Sequence, residues 1–170
     1  VVVVASTDQI TRARRLIGQL MAENPDQLIF RHTDVEIDMA FDNVEGALRK
    51  LERLLAVNPD NYPLTVLQSD ALWQARRFEE SSKVLRALSR QRSEDPNIWY
   101  RLAEVSGLAG DISGVHRARA EYFVLVGAFD LARKQLAKAA SLVASDFKQS
   151  AIVRQRLRDL ADMEDRVVKL

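Results

Sequence analysis

The chain has no cysteine, only two histidines, and no apolar run near the roughly 18 residues that read as a membrane span. Without cysteine there is no disulfide, thiolate nucleophile, iron–sulfur cluster or cysteine zinc site. His32 and His116 stand 84 positions apart, which excludes a helical two-histidine metal motif. A Ser–His–Asp triad would have to use one of these two, so a complete enzyme is not expected in this chain. Glycine (6) and proline (4) are scarce among the 170 residues, which points to helices joined by short loops. Neither sign of charge dominates: 25 basic against 24 acidic side chains give a formal +1, which argues against a generic pull toward nucleic acid or anionic lipid. The charge is tilted, with an acidic excess in residues 1–60 and a basic excess in residues 111–170.

What is present is a repeat. Asn24-Pro25-Asp26 returns 34 positions later as Asn58-Pro59-Asp60. At the same step Ile10, Val44, Phe78 and Ile112 fall in one apolar column, Ile17, Leu51 and Leu85 in a second, and Leu20, Leu54 and Leu88 in a third. Ala13, Ala47 and Ser81 form a small-residue column, where two helices would approach closely. Within each segment the columns are spaced 3, 4 and 3, as one helix face requires. A 34-residue period with two helices per unit is the tetratricopeptide (TPR) signature, and stacked units share a continuous core and present a concave surface.

The expected fold is therefore all-α: a TPR-like solenoid of about nine antiparallel helices, some four repeats, with helices at 8–23, 27–41, 44–57, 62–75, 79–92, 96–109, 112–126, 129–143 and 147–166. Asp8, Asn43, Asn61 and Asp146 read as N-caps, Pro96 as a first-turn residue, and Gly110 and Gly127 as left-handed turn residues. Ala120…Gly127 repeats Ala103…Gly110 at an offset of 17, half a period. Helix 112–126 thus serves as second helix of one unit and first helix of the next, a half-repeat step that should alter the curvature. The Arg154, Arg156 and Arg158 helix reads as a C-terminal cap with a solvated basic face. Helix 8–23 reads as a second helix whose partner is not supplied, which raises the expectation of a missing N-terminal portion. Residues 1–7, opening on Val1–Val4, read as a tag or disordered lead, 8–166 as the TPR domain, and 167–170 as a tail that could be vector-derived.

One stretch is more specific. Arg117-Ala118-Arg119-Ala120-Glu121-Tyr122-Phe123…Gly127…Phe129-Asp130-Leu131-Ala132…Gln135-Leu136, closing on Ile152…Arg156-Leu157, resembles the C-terminal repeat domain of bacterial periplasmic zinc metalloproteases of the β-barrel assembly-enhancing type. The resemblance implies a non-catalytic protein-binding and substrate-positioning module of a periplasmic metalloprotease or chaperone in outer-membrane protein assembly and quality control. Implied partners are outer-membrane β-barrel proteins or their assembly machinery, and the protein's own upstream catalytic domain. That family carries its zinc on a His-Glu-x-x-His helix, which this chain lacks, so no cofactor is expected here and zinc only in a missing catalytic domain. The alternative is a stand-alone TPR scaffold or adaptor, which would be cytoplasmic.

A ligand groove is expected on the concave face. Counting Trp99 as the fourth position of its unit, the groove residues are Val66, Asp70 and Trp73, then Tyr100, Glu104 and Leu108, then Arg117, Glu121 and Val124. The ninth position is acidic in each, so Asp70, Glu104 and Glu121 read either as an acidic ladder for a basic or amide-rich segment or as ordinary solvated charge. Trp73 and Tyr100 read as aromatic anchors, while Trp99 falls where the fold packs an aromatic in its core. His116 reads as a helix-surface residue or one packed at the half-step. Helix 27–41 fits poorly, because Asp34 and Asp38 fall at apolar positions; either it is rotated by one residue, with Val35 and Met39 inward, or its unit is distorted. Asp34 and Asp38 with His32 offer a metal reading, against which stand the single histidine and the flexible carboxylates. Gly107, Gly110 and Gly114 lack the Lys-Ser/Thr of a P-loop, so no nucleotide site is expected.

Overall fold

The computed structural model describes residues 7–168, and the ordered elements among them are nine α-helices. They are α1 (Thr7–Glu23), α2 (Leu28–Ala40), α3 (Val44–Val57), α4 (Tyr62–Gln74), α5 (Phe78–Gln91), α6 (Pro96–Leu108), α7 (Ile112–Leu125), α8 (Phe129–Leu142) and α9 (Phe147–Val168). The sequence-based bounds differ from these by at most two residues. The readings of Val1–Val4 and of Lys169-Leu170 fall outside the described residues. Among the described residues no helix is long and apolar enough to cross a membrane.

The repeat is written in the turns. Left-handed backbone recurs at Asp42 (φ 60°), Arg76 (φ 59°) and Gly110 (φ 78°), each 34 residues after the last, and again half a period later at Gly127 (φ 76°). Each of these residues sits one place before an amide that closes the same bond across the helix end. Asn43 N–H donates to Asp38 C=O (2.8 Å), Arg77 to Leu72 (2.8 Å), Asp111 to Ser106 (2.9 Å) and Ala128 to Phe123 (2.8 Å), the long bond of a Schellman turn. A second turn type begins at Asn24, Asn58 and Arg92, whose N–H groups donate to Leu20, Leu54 and Leu88 C=O, and recurs at Val143, which donates to Ala139 C=O. Up to Arg92 the two types alternate. The turns at 110 and 127 are both of the Schellman type with none of the other between them, so the half-step is a backbone fact: α7 ends the turn that opens a second helix and starts the turn that closes a first one.

Arg76 and Gly110 occupy one column, so their substitutions should have opposite signs. Left-handed backbone costs an L-residue about 1 kcal/mol, and Arg76 is exposed with that strain in place. Arg76→Gly is expected to stabilise by a few tenths to about 1 kcal/mol and Gly110→Ala to destabilise by about 1 kcal/mol, because nothing lies within 4 Å of a Cβ at 110 and only backbone strain differs. Urea unfolding of both variants checks this; a loss of stability in Arg76→Gly would mean that its side chain does more than the turn.

The helix starts use the expected signals with two exceptions. The Asn61 carboxamide accepts from Leu64 N–H (3.0 Å) and the Asp146 carboxylate from Gln149 N–H (2.9 Å). Asp95 and Asp111 act the same way on Asn97 N–H (2.9 Å) and Gly114 N–H (2.8 Å). Asn43 holds an N-cap position without a capping hydrogen bond, and Asp8 lies inside the first turn of α1.

Contacts group the chain into two compact units, one ending at Arg77 and one beginning at Phe78. In the first, α2, α3 and α4 pack around Val35, Ala47, Leu51, Leu64 and Ala71, each fully buried, and α1 packs on α2. In the second, α5, α6 and α7 enclose Leu85, Leu102, Ala103, Val105 and Ala118, with Phe78 and Trp99 packed against them. A further cluster there joins α7, α8 and α9 through Ala120, Ala132, Leu136, Val153 and Leu160. The apolar columns follow this burial, with Ile17, Leu51 and Leu85 at 5%, 0% and 1% exposure, while Leu20 and Ile112 lie exposed.

Helix α2 keeps its register, because Asp38 stays inward, and Val35 and Met39 face the core as well, Val35 fully buried and Met39 partly. Val35 stands in one 34-residue column with Ser69 and Ala103, and Ala120 joins it at the half-step; all four are buried. Asp38 is in column with Leu72 and Ser106 and is buried as they are, at 3% exposure. Its charge is matched instead. Lys50 Nζ lies 2.6 Å from an Asp38 oxygen and 2.6 Å from an Asp34 oxygen, and Arg14 lies 3.1 Å from the other Asp38 oxygen. Burial works against ionisation of Asp38, but hydrogen bonds from Lys50 and Asn43 and the charges of Lys50 and Arg14 outweigh it and hold the carboxyl below the usual range. The Lys50 ammonium therefore fills the space between the two carboxylates that the metal reading invoked, and His32 pairs with Glu36 (3.3 Å).

Candidate protein-binding faces

Within the first unit, α4 presents Val66 and Asp70 half-buried and Trp73 exposed over 52% of its surface. The neighbouring Gln74 carboxamide donates to Met39 C=O (2.9 Å), which ties the end of α4 to the end of α2. A half-exposed indole beside a fixed helix end is a rigid apolar anchor that costs little side-chain entropy on binding.

Within the second unit, α6 exposes Tyr100 (51%), Glu104 and Leu108 (52%). Tyr100 packs its ring on Tyr122 of α7, centroids 5.8 Å apart and planes at 60°, and Tyr122 packs edge-on against Phe123 at 5.5 Å. Tyr100, Glu104, Arg119, Tyr122, Phe123 and Gln135 line a cavity of about 220 Å³ that opens over α7 between α6 and α8. His116 shares this junction and bonds Gln135 (2.7 Å), so it packs at the half-step. The arrangement offers an aromatic floor with one acid and one base at its edge, suited to a side chain that is apolar along its length and polar at its tip.

The other face of α7 is different. Arg117 and Glu121 lie two residues and one residue away from Arg119 and Tyr122, which turns them by much of a half-circle on a helix. They line two further cavities, toward α5 and toward α9, and not the one beside Glu104. Glu121 accepts two hydrogen bonds from Arg156 of α9, at 2.7 and 2.6 Å. This bond to Glu121 is the main cause that pushes the Arg156 guanidinium still higher than usual. Arg117 donates to Gln149 of α9 (2.8 Å). Val124 is buried at 9% exposure among Ala120, Ala132 and Leu136. The groove expected to run from Glu104 to Glu121 is thus divided: Glu121 and Arg117 hold α9 against α7, and Val124 is core. Arg156, expected on a solvated cap face, is the partner in that clamp; Arg154 and Arg158 are exposed. Trp99 is half-buried with its indole N–H donating to Ser93 C=O (2.7 Å), the core role expected of it.

Tyr122, Phe123, Arg119 and Gln135 are the lining residues that the single-register count omitted. The half-period offset was the signal that could have found the three on α7, since a helix serving in two units exposes residues of both registers; Gln135 of α8 carried no such signal.

Residues 38–105 match the tetratricopeptide repeat family. Two solved structures share the fold. A tetratricopeptide repeat protein from Parabacteroides merdae superposes with a TM-score of 0.53 at 13% identity over 91% of this chain and 65% of that one. A thermophilic TPR protein of Thermus thermophilus gives 0.52 at 19% identity, over 91% of both chains. Among curated proteins, the β-barrel assembly-enhancing protease of Escherichia coli is 26% identical over 156 residues, 91% of this chain and 31% of that protein. Its Yersinia pestis counterpart is 26% identical over 157 residues. The chain spans about a third of the length of these relatives. Helix pairing, the 34-residue recurrence of the turns and these likenesses agree that the chain has the fold of tetratricopeptide-repeat proteins, with residues 38–105 matching that family.

Proposed function

We propose that this domain is the non-catalytic, protein-binding and substrate-positioning module of a periplasmic protease or chaperone of the β-barrel assembly-enhancing type. The observation that carries the reading is the likeness to that protease along 91% of the chain. Its zinc and its peptide-bond chemistry would belong to a catalytic domain outside this sequence. Binding would use Trp73 with Val66 and Asp70 in the first unit. In the second it would use the Tyr100–Tyr122 floor with Glu104 and Leu108, which take an extended segment through an apolar anchor and a basic or amide tip. A tethered catalytic domain would gain from the raised effective concentration of what the repeats hold. Candidate partners are outer-membrane β-barrels, their assembly machinery and the protein's own catalytic domain.

The stand-alone scaffold is the second reading, and the Thermus protein favours it, since the likeness there takes in 91% of that chain as well. Photocrosslinking in cells from positions 73 and 100 of the full-length protein separates the two. Capture of outer-membrane β-barrels or their assembly factors supports the protease module; capture of cytosolic proteins sinks the periplasmic reading. Trp73→Ala with Tyr100→Ala is expected to abolish capture while leaving the helical circular dichroism unchanged, both side chains being half-exposed. Capture that persists in the double variant overturns these anchors.

A further inference from the structure

The face of α7 turned away from Tyr100 carries a second cavity, of about 220 Å³, built from α5, α6 and α7. Its walls include Arg86 and Arg90 of α5, Trp99 and Ser106 of α6, and Gly114 and Arg117 of α7. Two features point to a ligand. Three guanidiniums converge on the cavity against one lining acid, Glu121, and that acid is already bound through both oxygens to Arg156. Arg86 is shared with Asp111 (3.1 Å) and Arg117 with Gln149, whereas Arg90 makes no ion pair or hydrogen bond among the described residues.

We propose that this cavity receives the carboxylate side chain of an acidic residue in a partner's extended segment. Arg90 and Arg117 flank the carboxylate, and the half-buried indole of Trp99 covers its methylene stem. The small volume suits one side chain of a longer chain, not a free metabolite. Arg117 and Glu121 also line a neighbouring cavity of about 330 Å³ whose lining includes Ile152, an isoleucine 43% exposed, so an aliphatic neighbour of the acid has a seat nearby. Charge complementarity sets the class of segment: guanidinium forks pair with carboxylates in a fixed planar geometry that a neutral isostere does not reproduce. The second unit then holds two binding faces of opposite preference on the two sides of one helix, and only a helix placed at a half-repeat step has both sides available.

The test is an amide and indole chemical-shift titration of the full chain with three probes. These are acetylated and amidated Gly-Leu-Glu-Leu-Gly, its Gln counterpart, and the Gln peptide with a free C-terminal carboxylate. The Glu peptide is expected to move the Trp99 indole N–H and the amides of Ser106, Gly114 and Arg117, and to bind about tenfold more tightly than the blocked Gln peptide. Arg90→Gln, an exposed and unpaired site that leaves the fold intact, is expected to weaken the Glu peptide about tenfold with no change in the Gln peptide. Equal binding of the Glu and Gln peptides overturns the proposal, as does binding of the free-terminus peptide alone. So does a response spread over all surface arginines, or an Arg90→Gln chain that binds as the parent does.

Discussion

Lys50→Met is expected to lower the unfolding free energy by about 3 kcal/mol, because it strands the buried Asp38 carboxylate. The Asp38 side chain is 4% exposed, and Lys50 is its closest cation, bridging it to Asp34. Arg14, half in solvent, is too well solvated to replace that bridge. The sign of the pH dependence follows from the two shifts. Asp38 is held below its ordinary value, so its contribution is complete above a pH of about 4 and is lost as pH falls through its folded value. For Lys50, burial opposes the charge, but hydrogen bonds and charge from Asp34 and Asp38 win and raise it. Its contribution is therefore complete below about pH 10 and is lost as pH rises through its folded value. The gap between parent and Lys50→Met should be widest between these limits and close at both ends, read by urea unfolding across pH. The repeat suggests the rescue. Asp38 is in column with Leu72 and Lys50 with Leu16 and Val84, so Asp38→Leu with Lys50→Val replaces the ion pair by what other repeats use. That double variant should return to within about 1 kcal/mol of the parent, since a packed apolar pair commonly equals a buried ionic one. A Lys50→Met cost below about 0.5 kcal/mol would show that the pair is effectively solvated.

Leu160→Ala is expected to cost about 3 kcal/mol, from lost transfer free energy and the cavity left behind. Leu160 is 1% exposed and, with Val153, also at 1%, anchors α9 to the cluster that holds Leu136 and Ala132. The polar clamp of Arg156 on Glu121 and of Arg117 on Gln149 remains in the variant but stands about a quarter exposed at Arg156 and Glu121, so it cannot hold the helix alone. Hydrogen exchange should show the amides of α9 opening ahead of those of α6. Unchanged protection in α9 would mean that the clamp, not the apolar anchor, seats this helix.

The division between what was legible and what was not follows the range of the forces. Asn24-Pro25-Asp26 and Asn58-Pro59-Asp60, the Ile17–Leu51–Leu85 column and the glycines at 110 and 127 fix helix ends and buried stripes. These depend on neighbours three or four residues away, so the nine helices fall within two residues of their expected bounds. The half-step was legible for the same reason, as a spacing of 17. Glu121 was not: its position and charge match Asp70 and Glu104, and only the packing of α9 brings Arg156 to it, 35 residues along the chain. Asp38 shows the converse. Its charge argued for a slipped helix, yet a lysine on the next helix and an arginine on the preceding one let an acid sit where the repeat wants a leucine.

The sequence by itself determined the period, the helices, the turn chemistry and the all-α repeat class, because periodic burial and backbone preference are local and recur in register. The tertiary structure alone decided which of the equivalent acids face solvent, that cavities lie on both sides of α7, and that Arg86, Arg90 and Arg117 line one of them. Those properties depend on which distant side chains packing brings within 3 Å, and a repeat makes its own members look alike until that packing tells them apart.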